Sequence, residues 1–220
     1  MKGLIRNNFY SVNSALKWSI AVCIILNIAV LIGVIHFPNI NVFLPILMLA
    51  QMGAFVGLTG TALQKDNTSK WSKYERTLPV KISDMVMARY ISFLIFSLIG
   101  MLLASITVVI FWVVSAQAVS VESVGFGYSF GIVFSLLVPA LLYPLVLKFG
   151  ADKSEILLMI SVVIIMCLFA GGNGILAPFL YKLNNADMIY RVACVAISMA
   201  AFIASYFVSL AIYKRENNSI

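Results

Sequence analysis

The chain has 220 residues, of which 62% are hydrophobic and only 10% are charged, and its mean hydropathy is +1.04. Soluble globular proteins carry roughly 25% charged residues, so this composition excludes an ordinary soluble domain and indicates an integral membrane protein. The net charge of +7 does not require a nucleic-acid partner, because the basic residues fall in a few short segments between apolar runs.

Long stretches without Asp, Glu, Lys or Arg predict how often the chain crosses the bilayer. A hydrocarbon core about 30 Å thick needs a helix of roughly 20 apolar residues. The first charge-free stretch, 18–64, has room for two such helices, divided at His36–Asn41, where Pro38 favours a turn. We therefore predict an all-α, polytopic membrane protein with one transmembrane domain over residues 1–220. The six predicted spans are 18–37, 42–63, 87–114, 126–147, 156–178 and 189–212.

The first 17 residues are more polar than the span that follows them. Ile5, Phe9, Val12 and Leu16 recur at helical spacing, so residues 1–17 are predicted to form an amphipathic helix in the headgroup plane. Two roles stay open for this helix, a plain membrane anchor or an elbow that levers the first span. The apolar run after it is too long for a cleavable signal peptide, so we expect the first span to remain in the mature protein.

The distribution of Lys and Arg predicts the orientation in the membrane. Thirteen of the 15 basic residues precede the first span, follow the last span, or lie in or beside the second and fourth loops. Only Lys182 and Arg191 lie on the other side. Because basic residues are retained on the cytoplasmic side, both termini and loop 64–86 are predicted to be cytoplasmic.

The predicted spans carry no Asp, Glu, Lys or Arg at membrane depth, since Arg89 and Arg191 lie near span ends. Ion-coupled carriers and proton pumps depend on such groups. No His, Cys and carboxylate cluster has metal-ligand spacing, and no nucleophile is paired with a base. We therefore predict no catalytic residue and no metal site, which disfavours an intramembrane enzyme. The chain also lacks the phosphate-binding loop of ATPases, so energy for transport would come from a partner.

The fifth hydrophobic run is interrupted by Gly171, Gly172, Asn173 and Gly174, and Pro178 follows shortly afterwards. Irregular backbone does not occur where it would face lipid. This segment is therefore either a loop at the outer surface or a broken or re-entrant outer gate enclosed by protein. Both interpretations expect the helix to be interrupted at this point.

The predicted loop 64–86 is short, charged and aromatic. Within it, Trp71, Tyr74 and Leu78 share one face of a predicted short helix that ends at Pro79. This face could lie on lipid headgroups as an anchor. It could instead bind a protein, since Trp, Tyr and Arg are the residues that most often form interface hot spots.

Three segments of the chain, taken in order, carry a family resemblance. They are K-W-x-K-Y-E-x-T-L-P-V at Lys70–Val80 followed by A-R-Y at Ala88–Tyr90, then Y-P at Tyr143 with K-F-G at Lys148–Gly150, and the basic exit of the last helix at Ser209–Arg215. They resemble the bacterial ABC-transporter permeases of type two (ABC-2-type), and the resemblance covers nearly the whole chain. It implies a permease subunit with no catalytic residues, paired with a second permease, identical or sibling. It also implies two copies of a separate ATPase subunit, which would bind ATP and Mg.

The same resemblance implies roles for individual residues. In that family the first cytoplasmic loop forms a coupling helix that sits in a groove of the ATPase, and a shorter loop makes a second contact. Arg89 stands where the family commonly has lysine, and Glu155 stands where a basic residue is frequent. The implied coupling-helix residues are Trp71, Lys73, Tyr74, Glu75, Arg76, Leu78, Pro79 and Arg89, and the implied second contact is formed by Lys148, Phe149, Gly150 and Lys153.

The leading hypothesis is the permease subunit of an ATP-driven exporter in the bacterial plasma membrane. Apolar spans without charges are compatible with a hydrophobic or amphipathic cargo, and some relatives of this short, six-span form export amphipathic peptides. The alternative hypothesis is a non-transporting immunity or sensor subunit that sequesters a peptide and whose loop docks a regulator.

Overall fold

A computed structural model describes residues 2–36, 43–69, 80–114, 120–180 and 186–217. All regular structure in these ranges is helical, which confirms the predicted all-α class. The six helices are α1 Lys2–His36, α2 Leu44–Thr68, α3 Ile82–Val114, α4 Val121–Phe149, α5 Ser154–Leu180 and α6 Ala186–Asn217, and a short 3-10 turn at Ala151–Lys153 joins α4 to α5.

Five of these helices are long and apolar enough to cross a membrane. Within the described ranges the candidate spans are Gly3–Gly33, Leu44–Asp66, Ile82–Val114, Val121–Phe149 and Met188–Arg215. The remaining helix, α5, has 27 residues and is therefore about 40 Å long at a rise of 1.5 Å per residue. Each predicted span overlaps one of these helices, while the span boundaries and the count of six crossings stay predictions.

The N-terminal segment differs from the predicted arrangement, because α1 is a single helix of 35 residues with no boundary near residue 17. Its apolar stripe packs on the bundle: Val12 is fully buried, and the ring of Phe9 lies 5.0 Å from that of Phe96 in α3. The side-chain amide of Asn8 also donates to Ser92 Oγ at 2.9 Å. These contacts hold the first half of α1 against α3, so a separate elbow helix is not confirmed.

Helices α2 and α4 form the centre of the bundle. In their apolar windows 56% and 61% of residues are buried, compared with 17% in α1, 28% in α3 and 22% in α6. Two glycines one turn apart on α4, Gly127 and Gly131, face Met48 and Met52 of α2. A Cβ atom at Gly131 would overlap the Met52 sulfur. Small residues at this spacing let membrane helices approach closely, which is how α4 accommodates the two methionines.

Helix α4 continues through Pro139 and Pro144 without ending. Proline has no backbone N–H, so the carbonyl four residues earlier loses its helical donor. For Pro144 that carbonyl belongs to Ala140, and the Ser205 hydroxyl of α6 donates to it at 2.5 Å. A side chain of a neighbouring helix thus satisfies the backbone group that proline leaves unpaired, as membrane interiors require.

The expected interruption at residues 171–174 was wrong, because α5 runs without a break from Ser154 to Leu180. The physical reason is that a glycine inside a helix is less unfavourable than backbone groups left without hydrogen bonds in lipid. A helical glycine costs roughly 1 kcal/mol relative to alanine, whereas each unsatisfied backbone group in lipid costs several kcal/mol. The helix therefore persists through Gly171, Gly172, Asn173 and Gly174 and past Pro178. A gating role for these residues is a separate matter and stays a prediction.

Candidate functional site

Six helix termini meet at one end of the bundle, where α1, α3 and α5 begin and α2, α4 and α6 end. We call this the basic end, because Arg6, Lys65, Lys81, Lys148 and Lys214 lie there. One buried apolar cluster connects all six helices at this end. Its members include Leu4, Leu63, Met85, Val146, Leu157 and Tyr213.

A buried ion pair joins the two helices on either side of the predicted coupling loop. Asp66 in the last turns of α2 pairs with Arg89 in the second turn of α3, and each side chain is only 7% exposed. Burying two charges is unfavourable unless they are close and well oriented, so this pair fixes the position of α2 against α3. The described chain on either side of residues 70–79 is therefore joined at this point of the bundle.

Of the predicted coupling-helix residues, the structure describes Arg89. The others, Trp71, Lys73, Tyr74, Glu75, Arg76, Leu78 and Pro79, lie outside the described residues. Two grooves include the described residues that flank this segment, Ser69 and Val80. One, of about 630 Å³, lies between α1 and the end of α2 and includes Tyr10, Asp66 and Ser69. The other, of about 490 Å³, lies between the start of α3 and the end of α6 and includes Val80 and Tyr213.

The predicted second contact forms a single exposed corner between α4 and α5. Gly150 ends α4 with a φ of 92°, which favours glycine, and its N–H donates to the Val146 carbonyl at 2.9 Å. The Lys148 ammonium lies 5.6 Å from the centre of the Phe149 ring. Lys153 ends the 3-10 turn that follows. The structure thus brings the four predicted residues together, with Phe149 half exposed.

A hydrogen bond connects this corner to the same end of α2 that carries the ion pair. The Gln64 side-chain amide donates to Glu155 Oε1 at 3.0 Å. Glu155 therefore has a partner within the chain. Because Gln64 lies two residues before Asp66, the last turns of α2 bind both α3 and α5.

Sequence reasoning did not find the buried hydroxyl network beside Arg89. The Tyr90 hydroxyl lies 2.7 Å from Ser205 Oγ and 2.9 Å from Ser209 Oγ. Since Ser205 donates to the Ala140 carbonyl, Tyr90 donates to Ser205 and accepts from Ser209. Three helices, α3, α4 and α6, are joined by this chain of hydrogen bonds. The only sequence signal was a tyrosine and two serines within apolar runs.

A second polar cluster, also missed, lies farther along the bundle between α1, α2 and α3. The Thr107 hydroxyl lies 2.7 Å from Asn27 Oδ1 and 2.9 Å from Gln51 Oε1. One hydroxyl hydrogen can serve only one of these acceptors at a time. The Gln51 side chain is fully buried, and its Nε2 atom has no hydrogen-bond partner among the described residues.

The fold and the basic end define a multi-pass helical membrane protein. A family model described as "ABC-2 family transporter protein" matches residues 3–214, and the chain belongs to this family. The resemblance to ABC-2-type permeases is therefore confirmed. Members are membrane transport subunits that are not themselves catalytic, and the family in general implies an ABC ATPase partner. Comparison with curated proteins and with solved structures gave no match.

Proposed function

We propose that this chain is the permease subunit of an ATP-driven exporter that moves hydrophobic or amphipathic peptides out of a bacterial cell. The complete transporter contains two permeases, identical or sibling, and two ATPase subunits, which bind ATP and Mg. The protein resides in the plasma membrane. Both termini and the basic end face the cytoplasm, where the ATPase is bound.

The observation that carries this proposal is the way the last turns of α2 are bound to their neighbours. A partner that moves a helix within residues 70–79 acts on the bundle through the two ends of that segment. The Asp66–Arg89 pair makes those two ends move together, and the Gln64–Glu155 hydrogen bond passes the movement to α5. One input from the ATPase would thus reach α2, α3 and α5 at once.

The substrate class is supported by the outer faces of the bundle. Exposed side chains in the first half of α5 and of α6 are large and apolar, such as Met159, Val163 and Ile197, which are 68%, 59% and 66% exposed. A charged cargo without a partner would be unfavourable at that depth. A hydrophobic or amphipathic peptide can instead keep its apolar side in contact with such surfaces.

The proposal is tested by the triple substitution Trp71→Ala, Tyr74→Ala, Leu78→Ala in a permease co-expressed with the ABC ATPase encoded beside it. We expect the ATPase to co-purify with the wild-type permease and its recovery to fall at least tenfold with the variant, because truncated anchors remove interface hot spots. The matched control is Met159→Ala, Val163→Ala, Ile197→Ala, which removes similar apolar bulk from exposed positions.

Equal ATPase recovery from wild type, triple variant and control would contradict the docking role. A wild-type permease that binds no ATPase but retains a bound peptide would favour the alternative immunity or sensor function. Secretion of amphipathic peptides by cells lacking the gene is the accompanying measurement. Unchanged secretion of every such peptide would remove the proposed substrate class.

A further inference from the structure

A cavity of about 370 Å³ opens at the end of the bundle opposite the basic end. Its walls come from the beginning of α4 and α6 and from the second half of α5. The residues that line it include Glu122, Ser123, Phe126, Phe169, Tyr190 and Arg191. We call it the outer vestibule.

The inner wall of the outer vestibule is aromatic. Phe169 of α5 is at its centre, with ring centroids 4.1 Å from Phe130, 6.0 Å from Phe126 and 6.4 Å from Tyr190. Rings at these separations interact favourably with one another and with further aromatic or aliphatic groups. The wall therefore offers an apolar surface of defined shape, formed by three helices.

The rim of the outer vestibule is polar and carries one charge of each sign. The Arg191 guanidinium on α6 donates to the Glu122 backbone carbonyl at 3.1 Å. Glu122 and Ser123 belong to the first turn of α4. With one guanidinium and one carboxylate, the rim has no net charge and presents both hydrogen-bond donors and acceptors. Such a rim suits neutral polar groups like peptide amides better than it suits an ion.

Two glycines shape this vestibule. A Cβ atom at Gly172 of α5 would lie 2.9 Å from the Tyr190 hydroxyl oxygen, and one at Gly125 of α4 would lie 3.2 Å from Arg191 Nη1. With a Cβ atom at these positions, the Tyr190 hydroxyl and the Arg191 guanidinium would have to shift, so the glycines let both groups lie close against α5 and α4. The glycine-rich segment of α5, where the sequence predicted an interruption of the helix, thus contributes close packing to this site.

We propose that the outer vestibule binds one aromatic or large aliphatic side chain of an amphipathic peptide, whose backbone lies across the rim at Ser123 and Arg191. The volume is near the lower limit of about 300–1,000 Å³ for small-ligand sites, so it accepts a side chain and excludes a whole peptide. This inference deepens the proposed function and rests on it for the identity of the cargo and the direction of release.

The test uses Ser123→Cys, a nearly isosteric change, in a chain whose Cys23, Cys167 and Cys194 are replaced by alanine. The matched control is Val121→Cys, two residues away and 87% exposed. The probe is a synthetic amphipathic helical peptide with one tryptophan on its apolar face, added to permease in phosphatidylethanolamine and phosphatidylglycerol nanodiscs. We expect saturating peptide to slow maleimide labelling at position 123 at least tenfold and to leave labelling at position 121 unchanged.

Filling the vestibule gives a second measurement on protein that has already folded. After the Ser123→Cys variant reacts with benzylmaleimide, its affinity for the peptide should fall at least tenfold, whereas the labelled Val121→Cys control should bind normally. Equal protection at both positions, equal protection by a peptide with serine in place of its tryptophan, or unaltered affinity after filling would each overturn the proposal. Protection by added phospholipid alone would identify a lipid site and overturn it too.

The same samples separate this inference from the proposed function. An ATPase that co-purifies with a permease whose position 123 the peptide does not protect leaves the exporter assignment standing and removes the vestibule site. If the peptide protects position 123 in a permease that binds no ATPase, the vestibule site stands and the exporter assignment is contradicted.

Discussion

The Ser205 hydroxyl replaces a backbone donor that Pro144 cannot supply. It donates to the Ala140 carbonyl at 2.5 Å and accepts from Tyr90, whose own oxygen lies 2.9 Å from Ser209. A proline inside a membrane helix leaves a carbonyl without its helical donor, and here the carbonyl belongs to the buried residue Ala140. One serine on α6 therefore stabilises the backbone of α4 and orients a side chain of α3.

We predict that Ser205→Ala destabilises the protein by about 1–3 kcal/mol, the usual cost of leaving a buried polar group unpaired. In a Pro144→Ala background the cost should be smaller, because the new backbone N–H can donate to the Ala140 carbonyl. Unfolding in detergent, followed by circular dichroism, measures all four members of this double-mutant cycle.

Ser198→Ala is the control for this cycle. Ser198 is fully buried on the same helix, but its hydroxyl donates to the Val195 carbonyl within α6 at 2.7 Å. The change in the free energy of unfolding caused by Ser198→Ala should therefore be the same with and without Pro144. If Ser205→Ala has the same cost with and without the proline, the hydroxyl does not compensate for the missing N–H.

Pairing between helices is the part of the site that the sequence could not predict. The position of Arg89 near a span end followed from the count of charges, but nothing local indicates Asp66 as its partner. The same holds for Thr107 with Asn27 and Gln51, which are distant in sequence. Helical periodicity specifies the face on which a residue lies, whereas tertiary packing decides what that face meets.

Helix α1 illustrates this limit for a whole element. The spacing of Ile5, Phe9, Val12 and Leu16 correctly identified an apolar face, and the structure covers that face with α2 and α3 rather than lipid. A membrane surface and a protein surface both favour apolar residues on the helix face that contacts them. Periodicity alone therefore could not distinguish a helix in the headgroup plane from one packed in the bundle.

Overpacking distinguishes the two arrangements of α1. Val12 is fully buried in a cluster with Phe55 and Phe96, so Val12→Trp should destabilise the protein by about 1–3 kcal/mol. The control is Ser14→Trp, at an exposed position one half-turn away. Thermal unfolding in detergent measures both. A separate elbow lying in the interface would instead tolerate tryptophan at position 12, since interfaces favour that residue.

The glycine-rich segment of α5 shows where local propensity misled the prediction. Gly171, Gly172, Asn173 and Gly174 are poor helix formers in water. The expectation of a break followed from this preference, and the constraint on lipid-facing backbone was used only to place the break at the outer surface or inside protein. In a membrane helix the need to pair every backbone group exceeds it. The close approach of Tyr190 to Gly172 adds a tertiary reason for glycine there.

At the scale of the molecule, hydropathy and charge predicted most of the architecture. Each predicted span overlaps one helix, and the helix termini that carry the basic residues meet in one buried cluster. Which helices lie at the centre of the bundle could not be predicted from hydropathy. Helix α2 is central although its hydropathy of 1.7 is the lowest of the five candidate spans, because its polar residues are covered by neighbouring helices.

The orientation of the whole molecule is predicted from its basic end. Each cysteine variant is expressed in a chain from which the native cysteines have been removed. A membrane-impermeant maleimide should label the Val121→Cys variant in intact cells. It should label the Arg215→Cys variant only after permeabilisation. Both positions are exposed and lie at opposite ends of the bundle. The reverse pattern would place the basic end outside the cell and would contradict the proposed ATPase contact.

The Asp66–Arg89 pair has a mechanical consequence for the segment it closes. Because both charges are buried, α2 cannot fray backwards and α3 cannot fray forwards without exposing an unpaired ion. The two helices therefore stay joined at Asp66 and Arg89. In the proposed exporter, a subunit that displaces residues 70–79 would therefore move α2 and α3 together rather than unwind their ends.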